Sequence, residues 1–402
     1  MTTPPSALVT AVVAPRRVLP ALVLAQLAGT SPWFAVNAVM PDLQRQFGWD
    51  AAAVGTLTSA LQAGFIAGTL LVALLALADR WSARRVFLAC ALAAATCTLA
   101  AAHTAAAASF GPLLGWRFAT GFFLAGIYPV GMKIAAQWFP QGLGNALGWL
   151  VGALVLGSAS PHALRALAAS APTSGADWTL VFDAVAAAAA LAGVLVMVAV
   201  PEPAVAAARP QLHLQALASV WRDARLRASV LGYFGHMWEL YTLWVLVPVV
   251  LALRLTDAAA VSWAAFAVVG AGAIGCVGGG LLARRHGGAR VAAVQLATGA
   301  ACGMAAPWLL QAQLALWLGW LLLWGVTVAG DSPQLSALTA ANAPRSAVGS
   351  VLTLVNSLGF ALSVVSIELF TRAVQTVGPA KVLPWLALGP VLGLIALRPL
   401  LR

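Results

Sequence analysis

Leu75-Ala-Leu77-Ala78-Asp79-Arg80-Trp-Ser82-Ala-Arg84-Arg85-Val86-Phe87 joins two long apolar segments and gathers four charges at their junction. The same kind of junction returns in the second half as Gly280-Leu-Leu282-Ala283-Arg284-Arg285-His-Gly287-Gly-Ala-Arg290-Val291. At one constant offset Leu77 meets Leu282, Ala78 meets Ala283, Arg80 meets Arg285, Arg85 meets Arg290 and Val86 meets Val291. The chain is therefore an internal repeat. A short basic tether between two apolar segments pins one side of a membrane and holds two helix ends together.

Composition points to the same class. Hydrophobic residues make up 62% of the chain and charged residues only 8%, where a soluble domain carries roughly a quarter charged residues. Cutting at charged or Pro/Gly-rich breaks gives apolar spans near 18–40, 51–76, 86–103, 109–136, 146–169 and 178–200, then 228–252, 259–283, 291–310, 314–340, 347–370 and 381–399. Each approaches the roughly 20 residues a bilayer requires. The expected fold is an all-α membrane protein of twelve transmembrane helices in two pseudo-symmetric six-helix bundles, 1–200 and 228–402. Between them, 201–227 reads as a cytoplasmic linker, partly an amphipathic surface helix. Trp33 and Trp238 share the offset of the junctions, and Gly126-x-x-Pro129 echoes Gly330-x-x-Pro333.

The net charge of +11 is spread through alternate loops, which is a topology signal rather than a nucleic-acid footprint. With a cytoplasmic amino terminus, only Arg45, Arg165, Arg254, Arg372 and Lys381 fall outside, and both termini are expected in the cytoplasm. Cys90, Cys97, Cys276 and Cys302 lie inside apolar spans without metal-ligand spacing and read as small core residues. No metal, cofactor or nucleic-acid partner is expected. The apolar run after Arg16-Arg17 continues to Met40, too long for a cleaved signal peptide.

The junction around Asp79 resembles the loop signature of the major facilitator superfamily, G-x-L-a-D-r-x-G-r-r. Leu77, Ala78, Asp79, Arg80 and Arg84 occupy matching places, while Leu75 and Ser82 stand where the family has glycine. The second copy keeps Gly280 and Gly287 and has Arg284 at the place of the acid. The resemblance implies parallel bundles with the substrate between them near the midplane, lined by the first, fourth, seventh and tenth helices. It also implies a gating loop, here Asp79, Arg80, Arg84 and Arg85 with Arg285 and Arg290 in the second copy. Asp79 is expected to pair with a basic group or helix end of the facing bundle when the outside is open.

Polar residues fall where such a cavity needs them. The first span carries Gln26, Thr30, Trp33 and Asn37 at helical spacing, the fourth Arg117, Tyr128 and Lys133, the seventh His236, Glu239 and Tyr241, and the tenth Asp331 and Gln334. Glu239 lies near the bilayer centre with His236 three residues back on the same face. Desolvation there opposes ionisation, so Glu239 can carry a proton with His236 as partner or relay; the alternatives are a structural hydrogen bond to a neighbouring helix or a metal site. Gly115-Trp-Arg117-Phe-Ala-Thr-Gly121 resembles the family's fourth-helix motif, which implies a coupling role for Arg117; otherwise Arg117 snorkels to an interface. Lys133 either binds an anion or reaches the cytoplasm. Asp331 stands at a helix break, where freed backbone groups can help form a site, or pairs with Lys133 or Arg345. Gly64/Gly68 and Gly148/Gly152 have the spacing of helix packing.

No metal cluster, nucleophile elbow or phosphate loop supports an enzyme. The Gly-Pro motif of family exporters is missing from the fifth span, and the arginines of nitrate carriers are missing from the second and eighth. The expectation is proton-coupled secondary transport of a small, anionic solute across a bacterial inner membrane by a monomer. Glu239, His236, Arg117 and Asp331 would couple the proton, and Gln26, Thr30, Asn37, Tyr128, Lys133, Tyr241 and Gln334 would contact the solute. The alternatives are proton-antiport efflux of drug-like or amphipathic compounds and a non-transporting sensor on the same fold.

Overall fold

The computed structural model describes residues 14–139, 143–170, 178–202 and 215–402, with the backbone alone for Asp79, Leu143 and Ala216. Twelve helices are long and apolar enough to cross a membrane: α1 (Val18–Phe47), α2 (Ala53–Leu74), α3 (Ala83–Ala106), α4 (Phe110–Trp138), α5 (Gly144–Ala169), α6 (Thr179–Ala199), α7 (Ala224–Leu251), α8 (Ala258–His286), α9 (Gly288–Leu309), α10 (Leu314–Asn342), α11 (Val348–Val377) and α12 (Pro379–Leu401). Helices are the expected solution, because hydrocarbon cannot satisfy backbone polar groups. With twelve crossings the start of α1 and the end of α12 lie on one face, here the terminal face. The opposite is the far face.

All twelve expected spans are present, but several run further than their apolar cores. α1 continues past Met40 through Asp42 and Arg45 to Phe47, and α11 continues past Phe370 to Val377. In each extension charged side chains pair one turn apart: Arg45 donates to Asp42, and Arg372 donates to Glu368 at 3.1 Å. Charge marks the edge of the apolar run, not of the helix. Asp223 accepts from the backbone N–H groups of Arg225 and Leu226 at 2.8 Å, so α7 starts four residues before the expected 228. Residues 203–214 of the expected linker lie outside the described residues; of the rest, Ala216–Arg222 is a short helix.

Small residues bring helices together within each half. A methyl group at Gly64 or Gly121 would overlap backbone carbonyls of α4 and α2, and one at Gly275 or Gly325 would overlap those of α10 and α8. Thus α2 packs on α4 as α8 packs on α10, the close approach that small residues permit in membranes. Between halves, α5 meets α8 and α2 meets α11. The second small-residue pair works there, with Gly152 against Ala273 and Val277.

The repeated breaks are visible as well. α4 is interrupted between Leu124 and Tyr128, and α10 is interrupted at Asp331, between Gly330 and Ser332. α1 contains a tightened 3₁₀ turn over Ser31–Phe34. At the Asp79 junction the chain turns through Ala76 at φ 47° before a four-residue helix, Leu77–Arg80. The second copy makes its turn at Gly287, φ 84°, where glycine carries no Cβ penalty.

Candidate functional site: a cavity between the halves

The site begins at the 3₁₀ turn of α1. Such a turn frees carbonyls from the α-helical ladder, and Arg117 of α4 takes two of them, donating to Pro32 O at 3.0 Å and to Trp33 O at 2.7 Å. Arg117 is fully buried, so it does not snorkel. With its carbonyls held, the turn presents Trp33 and Phe34 to the other half. Trp33 and Phe34 lie parallel to Tyr241, within 10°, at 5.9 and 6.3 Å. Phe34 meets Trp244 edge-on at 5.6 Å, and Phe65 lies 4.7 Å from Phe360. Aromatic pairs in this range are worth about 0.5–1.5 kcal/mol each beyond their burial.

This aromatic layer is the far-face floor of a cavity lined by Tyr128, Val151, Leu154 and Val155 from the first half and Tyr233, Met237, Tyr241, Trp244, Ser332, Asn356 and Phe360 among others from the second. The void is about 370 Å³ with its open mouth included, and it faces the terminal side of the aromatic layer. The hydroxyl of Tyr233 donates to Asn356 Oδ1 at 2.6 Å.

Beyond the floor, polar contacts close the far face. Arg165 of α5 holds Asp42 through two bonds, Nε to Oδ2 at 2.6 Å and Nη2 to Oδ1 at 3.0 Å, and reaches across to Ser262 Oγ of α8 at 2.6 Å. Ser363 of α11 donates to Gln62 of α2 at 2.7 Å. Gly55 faces Thr371 so closely that a Cβ would lie 2.3 Å from its hydroxyl oxygen. None of these residues was singled out as functional from sequence.

Behind the cavity wall, inside the second half, lie the buried acids. Nδ1 of His236 is 2.7 Å from Oδ1 of Asp331, and Trp324 Nε1 donates to Glu239 Oε1 at 2.6 Å. All four residues are buried. The expected partnerships are thereby rearranged. His236 accompanies Asp331 rather than Glu239, and Asp331 takes neither Lys133 nor Arg345, because the α10 break sets Asp331 beside α7. Glu239 faces Trp324 of α10 and Gly299 of α9. No group of three His, Cys, Asp or Glu suited to a metal occurs among the described residues.

Of the expected solute contacts, Tyr128 and Tyr241 line the cavity, whereas the others are placed elsewhere. Thr30 donates to Gln26 O at 2.8 Å within α1, Gln26 abuts Gly131 of α4, and Asn37 donates to Thr58 of α2 at 2.8 Å. Gln334 sits near Gly279 of α8. Lys133 donates to Ala78 O at 2.7 Å, fastening α4 to the junction loop. In that loop Arg84 donates to Val200 O at 2.7 Å and lies 3.2 Å from Glu202, capping the end of α6 as a cation should. Arg80, Arg85, Arg285 and Arg290 are exposed. The side chain of Asp79 lies outside the described residues. Trp244, Ser332, Asn356 and Phe360 are cavity residues that sequence reasoning missed; the one available signal was Asn356, a lone amide within the apolar run of α11, one helical turn from Phe360.

A multi-pass membrane protein with a central cavity sealed on one face is a transporter architecture. The sequence profile of the Major Facilitator Superfamily matches residues 22–367, and the chain belongs to that family. No curated protein matches it. Among solved structures it is similar to a bacterial homolog of the human lysosomal transporter Spinster, inward-facing and unoccupied, at TM-score 0.71 and 15% identity over 96% of this chain and 97% of that one. The human organic anion transporter MFSD10 aligns at TM-score 0.71 and 18% identity over 95% and 99%. The Escherichia coli fucose:proton symporter aligns at TM-score 0.65 and 16% identity over 96% and 99%. These likenesses establish the fold.

Proposed function

We propose that the chain is a proton-coupled secondary transporter that carries a small solute across a bacterial inner membrane by rocking its two halves about the cavity, working as a monomer. The observation that carries the reading is the juxtaposition of a cavity closed toward the far face with an acid, Glu239, buried at membrane depth one helix layer behind it. An ionisable group at that depth is costly, and where a membrane protein keeps one it commonly marks a substrate or proton pathway. The basic loops favour a cytoplasmic terminal face, in which case the cavity opens inward, and a protein of similar fold is a fucose:proton symporter.

Geometry gives less support to an anionic solute. Arg117 holds the α1 turn and Lys133 reaches the junction loop, and neither lines the cavity. The efflux and sensor alternatives gain no specific observation.

The test needs no identified solute. In a variant whose native cysteines are replaced, spin labels at Ala51→Cys and Thr376→Cys report the separation of the halves at the far face. That separation is expected to respond to pH in the parent and to stay fixed in Glu239→Gln. A parent distance that ignores pH removes Glu239 from the mechanism.

A further inference from the structure

The chain has three tyrosines, and all three, Tyr128, Tyr233 and Tyr241, line the cavity between the halves. With Trp244 and Phe360 they make flat walls, which favour a ring stacked or set edge-on against them. Beside the hydroxyls, which donate and accept, two polar groups of the lining have only N–H to offer. The indole N–H of Trp244 is buried and meets no acceptor among the described residues, an arrangement that costs free energy until an acceptor arrives. Asn356 accepts from Tyr233 through its oxygen, which leaves its amide N–H groups to donate, and Ser332 adds a hydroxyl.

Among the described residues, no Asp, Glu, Lys, Arg or His lines the cavity. Charged groups of the surrounding helices have partners of their own: Glu239 takes the indole of Trp324, Asp331 lies beside His236, Arg117 holds two carbonyls and Lys133 donates to Ala78 O. An ion entering here gives up its hydration without meeting a counter-charge, which is unfavourable for either sign.

We infer that the cavity selects a small, uncharged, planar solute with hydrogen-bond acceptors along one edge, of the class of aromatic or heteroaromatic amides and carbonyl compounds. The inference rests on the transporter reading, in which this cavity is the substrate site. Tyr128, Tyr233 and Tyr241 clasp the ring, and Trp244 and Asn356 donate to its acceptors. An organic anion or an organic cation of the same shape is the rival in each direction.

Benzamide, benzoate and benzamidinium share a ring and a planar three-atom substituent and differ in charge, so they isolate this variable. Titrated calorimetrically into the purified full-length protein, benzamide is expected to bind at least about tenfold more tightly than either ion, a difference of about 1.4 kcal/mol. Asn356→Ala and Trp244→Phe are each expected to weaken it about fivefold or more. Asn356 is partly exposed, so that variant keeps the test open should Trp244→Phe fold poorly. Tighter binding of benzoate or benzamidinium, or binding of none of the three, overturns the inference. Transport is judged separately by the spin-label distances. Halves that move without benzamide binding sink the substrate class alone, whereas benzamide binding to halves that never move sinks the transporter reading and leaves a binding site.

Discussion

The register that aligns Trp33 with Trp238 sets Phe34 opposite Glu239 and Ser31 opposite His236, and the two halves use this shared position for opposite ends. In the first half it is a 3₁₀ turn whose rings seal the cavity and whose carbonyls are held by Arg117. In the second, α7 runs unbroken through it, Trp238 turns to the carbonyl of Trp385, and the next residue buries a carboxyl. The first half keeps its buried charges in fixed partnerships, Arg117 on carbonyls and Asp42 on Arg165. The second buries Glu239 against the indole of Trp324 and Asp331 beside His236, the groups that exchange a proton in the proposed mechanism. The repeat keeps the helices in register without keeping the backbone alike at this position, so one copy can present rings to the cavity where the other buries a carboxyl.

The largest test of that division is Asp42→Asn. It leaves Arg165 buried with its bidentate partner neutralised, and breaking a buried pair this way costs about 3–5 kcal/mol. The far face is expected to loosen, with a longer Ala51–Thr376 label distance and a lowered melting temperature at every pH. If the far face stays closed and the melting temperature holds, the latch is incidental.

Arg117→Gln comes next. It removes the side-chain donor from the Trp33 carbonyl and one of two donors from the Pro32 carbonyl, which keeps the Ala35 N–H, at about 1–3 kcal/mol for a buried group left unsatisfied, and frees the turn that presents Trp33 and Phe34. Stability should drop while any pH response of the label distance persists, because a fixed charge has been removed and not a titrating one. Loss of the pH response with stability intact would move Arg117 across the division into the coupling machinery.

Much of this architecture was legible in the sequence. The twelve apolar spans, the junction repeat and the Gly-x-x-Pro breaks determined the fold class, since hydropathy over 20 residues and an offset between copies both survive any detail of packing. The site was legible only in part. Gln26, Thr30 and Asn37 fall on one face of an ideal helix, but four residues of 3₁₀ geometry intervene, and at 120° instead of 100° per residue they rotate the remainder of the helix by about 80°. Asn37 therefore meets α2 and not the cavity. Asp42 and Arg165 escaped notice because each sits near a span end, where charge reads as a loop marker, and only the tertiary approach of α1, α5 and α8 makes them a latch. His236 and Glu239 lie one turn apart on α7, but their partners, Asp331 and Trp324, are set by α10, which no spacing within α7 could reveal.

The smallest effect, and the sharpest on the second half, is expected of Gly299→Ala. A Cβ at Gly299 would lie 2.9 Å from Glu239 Oε2 and 3.1 Å from Oε1, closer than atoms of a packed interior tolerate. The group that yields is the end of a flexible side chain, so the fold should lose little, about 1 kcal/mol or less by the standard of modest overpacking. The carboxyl, however, is pushed from its position against Trp324, where Nε1 now stands 2.6 Å away. The matching residue of the first half is Ala94, buried with its methyl accommodated; there the position that matches Glu239 is Phe34. If Glu239 works as a proton carrier held in place by Trp324, Gly299→Ala should blunt the pH response of the label distance while leaving benzamide affinity and melting temperature near those of the parent. A full pH response in that variant would mean that the position of the carboxyl does not matter, and the glycine would then be explained by helix packing alone.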